Sequence, residues 1–124
     1  MQSFQDCFEA YGADYQAAME RFWGDETVYL KILNMLFLDD NLAKLTEAIA
    51  NHHLADAFAA AHTLKGVAGN LGLTPLYNAL CVIVEPLRTR EPREDYPMMC
   101  ETVQAEFERA LSLCTALKSC TQKG

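Results

Sequence analysis

The feature that most constrains the fold of this chain is the spacing of its apolar residues, which recur three and four positions apart along almost its whole length. This spacing is the period of an α-helix with one buried face, and no segment alternates convincingly with the two-residue period of a strand. Glycine and proline, which interrupt helices, number only 6 and 4 in 124 residues. The pattern therefore predicts an all-α fold of amphipathic helices joined by short loops.

Turn-forming residues and helix caps divide the pattern into five helices. A short first helix at about residues 14–23 is stopped by Gly24, and Asp25 caps a second helix that runs toward His52. The Asp-Asp-Asn sequence at residues 39–41 interrupts the apolar stripe, which resumes on a different face. We expect a kink or a break there.

Three longer helices are expected to follow, at residues 56–72, about 75–90 and about 98–119. Asp56 is the expected N-cap of the third helix, and Gly72 is its expected stop. Pro86 lies inside the fourth helix and should kink or shorten it. Four long helices with short connections predict an antiparallel four-helix bundle, with the short helix packed on one end as an additional N-terminal element. Residues 1–124 are expected to form one domain.

Composition excludes several classes of protein. The net charge of −7, with only a loose basic group at residues 88–93, opposes nucleic-acid binding. The most apolar stretch, residues 28–38, is far shorter than the roughly 20 residues of a membrane helix. The N-terminus has no basic stretch followed by an apolar run, so we expect a cytoplasmic protein without a membrane anchor. Five cysteines without a C-x-x-C pair predict neither a disulfide framework nor a zinc site.

Residues 57–73 separate on a helical wheel into two unlike faces. His62 lies opposite the centre of the apolar face and should point to solvent. Its neighbours on the outer face are Phe58, Ala59, Lys65, Gly66 and Gly69, with Leu73 one turn further on. The apolar face, which should be core, consists of Ala57, Ala60, Ala61, Leu64, Val67, Ala68 and Leu71.

The outer face combines a nucleophile, a cation and cleared space. Each glycine inside a helix costs about 1 kcal/mol relative to alanine, and access to the His62 imidazole would be a reason to place Gly66 and Gly69 beside it. Imidazole can accept a phosphoryl group, whose negative charge the Lys65 ammonium could offset. No nucleotide-binding loop, no cluster of Mg²⁺ ligands and no obvious base accompany His62, so its catalyst must come from elsewhere. We therefore expect no metal and no cofactor of its own.

The sequence His62-Thr63-Leu64-Lys65-Gly66-Val67-Ala68-Gly69-Asn70-Leu71-Gly72 resembles the H-x-L-K-G-x-x-x-x-L-G signature of histidine-phosphotransfer (HPt) domains. The stretch Phe22-Trp23-Gly24-Asp25-Glu26 before an apolar helix is also similar to the pattern of that family, as is Glu85 late in the fourth helix. The resemblance covers about residues 12–117, which leaves the first dozen residues and the C-terminal tail without an assigned task.

The resemblance implies a phosphorelay module that is not an enzyme in its own right. His62 would be the phosphorylated residue, Lys65 would stabilise the phosphate, and Gly66 would keep the imidazole open. The implied partners are response-regulator receiver domains and a hybrid sensor histidine kinase, with the receiver supplying acidic residues and Mg²⁺. The docking surface would include Phe58, Ala59, Gly69 and Leu73, together with the apolar excess of the second helix. A monomer is expected, because the unit of that family is usually a complete bundle in one chain.

Two other interpretations stay open from the sequence. The chain could be an HPt-like adaptor that binds a signalling protein without relaying phosphate, or an unrelated helical bundle with an accidental motif. An adaptor is the better reading of a chain that lacks the histidine, and this chain retains it. An accidental match would be favoured by a core position for His62. His52 and His53 are adjacent and point apart on any helix, so we expect no metal site from them.

Overall fold

The computed structural model of the protein describes residues 3–121, which form helices and contain no strand. The all-α prediction is confirmed. In chain order the helices are α1 (Phe4–Tyr11), α2 (Tyr15–Glu20), α3 (Glu26–Leu38), α4 (Asn41–Ala50), α5 (Leu54–Asn70), α6 (Thr74–Arg88) and α7 (Tyr96–Thr121).

Four of these helices, α4 to α7, form the bundle. Helix α5 packs between α4 and α6, α6 packs on α7, and α4 also contacts α7, which closes the ring. Residues 51–53, 71–73 and 89–95 are the connections, and such short connections join antiparallel neighbours. Helices α1 and α3 both pack on α7. Within residues 3–121, no helix combines the length and the apolar character that crossing a bilayer requires.

Helix α1 is an element that the sequence analysis did not assign. Ser3 and Asp6 form a reciprocal capping box, in which each side chain accepts a hydrogen bond from the backbone N–H of the other residue. Gly12 ends the helix with a φ of 111°, a left-handed conformation that glycine adopts without strain. Phe4 and Phe8 bury their rings in the core, so the N-terminal segment is part of the bundle.

The boundaries of the next helices agree in part with the sequence patterns. The break predicted at residues 39–41 is confirmed, since α3 ends at Leu38 and α4 begins at Asn41. The Asp25 cap is also confirmed, because its Oδ1 accepts hydrogen bonds from two backbone N–H groups of α3, at 3.0 and 3.1 Å. Helix α2 is shorter than predicted: it ends at Glu20, and residues 21–24 form a turn.

The predicted N-cap at Asp56 is wrong. Helix α5 begins at Leu54 with His53 at the N-cap, where no side chain accepts a capping hydrogen bond. Asp56 lies instead in the first turn, where a carboxylate stabilises the positive end of the helix dipole. The stop at Gly72 is confirmed: this residue has a φ of 71°, and the chain reverses direction there. Pro86 does not end α6, which continues to Arg88.

Tyr29 of α3 joins the N-terminal helices to the end of α5. Its side chain is fully buried, with ring centroids 5.4 Å from Phe8 and 5.1 Å from Phe22. Its hydroxyl donates a hydrogen bond of 2.6 Å to the carbonyl oxygen of Leu71, just beyond α5. Burial raises the pKa of this phenol well above its ordinary value, so the hydroxyl keeps its proton. The contact fixes the chain where it leaves α5.

Tyr29→Phe is expected to lower the free energy of unfolding by about 1–3 kcal/mol, because the Leu71 carbonyl loses its buried donor. Urea unfolding followed by circular dichroism measures the change. The control is Tyr77→Phe, since the Tyr77 ring is half-buried and its hydroxyl forms no hydrogen bond within residues 3–121. Equal stability of Tyr29→Phe and the wild type would contradict this role of the hydroxyl.

Candidate functional site

Helix α5 has the two faces that its sequence predicts. Of the seven residues assigned to the core, Val67 is half-buried and the other six are buried. His62 is exposed on the opposite side, in the middle of the helix. The prediction that His62 points to solvent is therefore confirmed. Its imidazole stands on a regular helix that packs against both α4 and α6, so its backbone position is fixed by the bundle.

Phe58 lies one turn before His62 and contacts it directly. The centroids of the two rings are 5.3 Å apart, and their planes are tilted by 51°. The Phe58 ring is half-buried, and Ala59 beside it is exposed. This contact restricts the rotation of the imidazole on the side facing the start of α5.

Lys65 lies one turn after His62 and is half-buried. Its Nζ is 5.9 Å from the centroid of the Tyr77 ring on α6, a distance at which a cation is attracted to the ring face. Within residues 3–121 this ammonium forms no ion pair with a carboxylate. The Lys65 charge is therefore held near His62 by an aromatic ring and stays available to an anion.

A groove of about 480 Å³ runs beside His62 between α5, α2 and the start of α6. His62, Lys65 and Gly66 line one wall, and Arg21 lies on the wall formed by α2 and the turn after it. The groove is open to solvent. It therefore offers a partner access to the His62 ring from the side of Gly66.

The two glycines of this face have different surroundings. A Cβ atom at Gly66 would have no other group within 4 Å, so the space above this residue is open. A Cβ atom at Gly69 would lie 3.2 Å from the ring of Tyr77, which is a tight contact. Gly66 thus leaves room beside His62, whereas Gly69 makes room for a side chain of α6.

The placement of Leu73 on the outer face is wrong. Its side chain is fully buried in the core. Helix α5 ends at Asn70, and the left-handed turn at Gly72 redirects the chain, so Leu73 does not follow the period of α5. Leu73 lies at the floor of the groove beside His62, where its buried side chain offers no exposed apolar surface to a partner. Phe58, Ala59 and Gly69 all stay on the His62 side of α5, and their role in docking stays a prediction.

The apolar excess of the predicted second helix lies on the surface of α3. Val28, Ile32 and Met35 are exposed at helical spacing, and Leu38 follows them at the end of the helix. Met35 and Leu38 are 61% and 78% exposed, which is unusual for side chains of this size. Whether this stripe meets a receiver stays a prediction.

Three arginines near His62 were not assigned to the site by sequence reasoning. The guanidinium carbons of Arg88 and Arg90 lie 5.6 and 5.1 Å from the centroid of the Phe58 ring. Arg21 lines the groove and donates hydrogen bonds to backbone carbonyls at the end of α5. All three arginines are brought to the site by contacts with residues far away in the sequence. The spacing of apolar residues does not predict such contacts.

Metal-binding geometry is absent from residues 3–121, where no three His, Cys, Asp or Glu side chains lie close enough to hold an ion. His52 and His53 are both exposed in the connection between α4 and α5, as expected of histidines at a helix end.

Comparison with known proteins gives one family match. The family model described as the Hpt domain matches residues 35–118, from within α3 almost to the end of α7. The match includes the His62–Gly72 motif and Glu85, but not the Phe22–Glu26 stretch. No curated protein and no solved structure matches the chain significantly.

Replacing Gly66 or Gly69 by alanine tests whether the space beside each residue is open or is filled by the Tyr77 ring. Gly66→Ala is expected to raise the free energy of unfolding by up to about 1 kcal/mol, because alanine favours the helix and meets no neighbour. Gly69→Ala should gain less than Gly66→Ala, because its methyl group presses on the Tyr77 ring. Urea unfolding of the two variants tests the difference, and a larger gain for Gly69→Ala would contradict it.

Proposed function

The chain belongs to the Hpt domain family, the phosphocarrier modules of two-component signalling, and we propose that it relays a phosphoryl group between receiver-domain aspartates through a phosphohistidine at His62. The observation that carries the proposal is the open position of His62, exposed in mid-helix beside the uncovered Gly66. A receiver could bring its phosphorylated aspartate to the imidazole at this point without moving the bundle.

The proposed reaction is an in-line exchange of one bond for another. A neutral ring nitrogen of His62, the one farther from the backbone, attacks phosphorus with its lone pair, and the N–P bond forms. The bond between phosphorus and the aspartyl oxygen breaks, and its electron pair returns to the receiver as a carboxylate. The second ring nitrogen releases its proton to solvent. The reverse sequence passes the phosphoryl group to another receiver.

The residues around His62 support this chemistry in distinct ways. Phe58 limits the orientations of the imidazole, which favours a geometry close to that of attack. The Lys65 ammonium offsets negative charge on the phosphoryl oxygens. Gly66 leaves the approach open. The receiver domain supplies the acidic residues and the Mg²⁺ that stabilise charge on its own side of the transfer.

We propose a response regulator and a hybrid sensor histidine kinase as the partners, a cytoplasmic location and a monomeric state. A bundle closed within one chain supports the last point. The alternative is an HPt-like adaptor that binds its partner without relaying phosphate, and the following experiment distinguishes it from a relay protein.

Transfer from a phosphorylated, Mg²⁺-loaded receiver should label the wild-type protein with an acid-labile phosphate, as expected of a phosphoramidate. His62→Gln should abolish the label, while the matched variant His53→Gln, which changes an exposed histidine at the start of α5, should keep it. Gel autoradiography before and after acid treatment measures both. Absence of label from any of a panel of receivers, in a folded protein, would favour the adaptor.

Lys65→Ala is expected to slow transfer to His62 by about ten-fold or more, since a charge-assisted hydrogen bond contributes roughly 1.5 kcal/mol or more. The helix content should not change, because the Lys65 side chain makes no buried contact that the bundle requires. Rapid-quench kinetics measures the rate, with Lys65→Arg expected to recover part of it and Lys44→Ala on α4 as the control. An unchanged rate for Lys65→Ala would remove Lys65 from the mechanism.

A further inference from the structure

Positive charge is concentrated around His62 in a chain whose net charge is −7. Four of its ten lysines and arginines, here called the basic cluster, lie along this side of α5: Arg21, Lys65, Arg88 and Arg90. Helix α5 rises about 1.5 Å per residue, so Phe58 lies about 6 Å from His62 along the axis and Gly69 about 10 Å in the opposite direction. The basic cluster therefore flanks the imidazole at both ends.

At the Phe58 end, two guanidinium groups share one aromatic ring. Arg90 lies 5.1 Å from the ring centroid, and its Nη1 donates hydrogen bonds to the carbonyl oxygens of Leu87 and Arg88, at 3.0 and 3.1 Å. Arg88 lies 5.6 Å from the same centroid and forms an exposed ion pair of 3.5 Å with Glu85. Both cations therefore rest on the same ring that contacts the His62 imidazole.

At the other end, Arg21 is held by the backbone of α5. Its Nη1 donates hydrogen bonds to the carbonyl oxygens of Gly69 at 2.8 Å and of Asn70 at 3.3 Å. These carbonyls lie in the last turn of the helix, where the dipole favours a cation. Arg21 belongs to the turn after α2, outside the residues that the family model matches, and it lines the same groove as His62 and Lys65.

Neutral groups hold most of these cations, so their charge is not cancelled. Within residues 3–121, Arg21, Lys65 and Arg90 form no ion pair. By contrast, Lys44 is paired with Asp40 on α4. The one carboxylate that lines the groove belongs to Asp14, and its Oδ1 accepts a hydrogen bond from the backbone of α2 as the helix cap.

We propose that the basic cluster is an electrostatic docking element for the acidic surface around the phosphorylated aspartate of a receiver domain. This inference rests on the proposed function, because it takes the receiver as the partner of His62. A chain with a net charge of −7 repels an acidic partner at long range, whereas a local cluster of cations steers the partner's acidic surface toward the imidazole. Arg21 at the Gly69 end and Arg90 at the Phe58 end fix the register of the receiver along α5.

The test measures binding rather than phosphoryl transfer, so that it does not depend on the relay. Every protein carries His62→Gln, and its association with each Mg²⁺-loaded, unphosphorylated receiver of the panel is followed by biolayer interferometry at low and high salt. Arg21→Glu and Arg90→Glu should each lower the association rate by about ten-fold at low salt. Arg21→Gln and Arg90→Gln should have smaller effects, and high salt should reduce all of these differences.

The matched control is Lys44→Glu, which makes the same change of charge at an exposed site on α4 and should leave association unchanged. Circular dichroism and urea unfolding verify the fold of each variant. The proposal is overturned if Arg21→Glu and Arg90→Glu behave like Lys44→Glu, if the losses are insensitive to salt, or if no receiver binds. Graded, salt-sensitive losses without any transfer to unmodified His62 would instead disprove the relay and leave this surface as the interface of an adaptor.

Discussion

The packing of one face of α5 supports everything else at the site. Small buried residues on that face, such as Ala57 and Ala61, allow α5 to pack closely between α4 and α6. Because these contacts and the Tyr29 hydrogen bond to Leu71 fix the helix, its other face needs no packing of its own. His62 can therefore stand in solvent on a rigid backbone, which a nucleophile exposed on a flexible loop could not do.

The open face combines access with charge. Glycine at position 66 lowers the stability of the helix relative to alanine, and no neighbouring group fills the space beside it. This arrangement is expected where another protein must reach the side chain of His62. Around that opening, cations rest on aromatic rings and backbone carbonyls instead of carboxylates. Such anchors hold Lys65, Arg90 and Arg21 in place while leaving their charge for a partner. In the proposed relay, this face receives the phosphoryl group and the acidic surface of the receiver, which supplies the rest of the chemistry.

Sequence alone predicted what depends on local periodicity. The two faces of α5, the exposure of His62 and the break between α3 and α4 follow from spacing and caps that act within a few residues. The prediction failed for Leu73 because the left-handed turn at Gly72 ends the helical period. Helix α1 was missed although its capping box at Ser3 is a sequence signal. The contacts of Arg21 with the end of α5 join residues far apart in the chain, so no local pattern could show them.

The central claim is that the imidazole of His62 carries the phosphoryl group, and the most direct test is a ¹H–¹⁵N spectrum of the side chains of ¹⁵N-histidine-labelled protein. The chain has 3 histidines, so each ring can be assigned and followed. After incubation with a phosphorylated receiver, the account predicts that only the ring nitrogens of His62 shift to the values of a phosphoimidazole, with coupling to phosphorus on the nitrogen farther from the backbone. A phosphorylated His52 or His53, or three unchanged rings beside a receiver that loses its phosphate only to water, would contradict it.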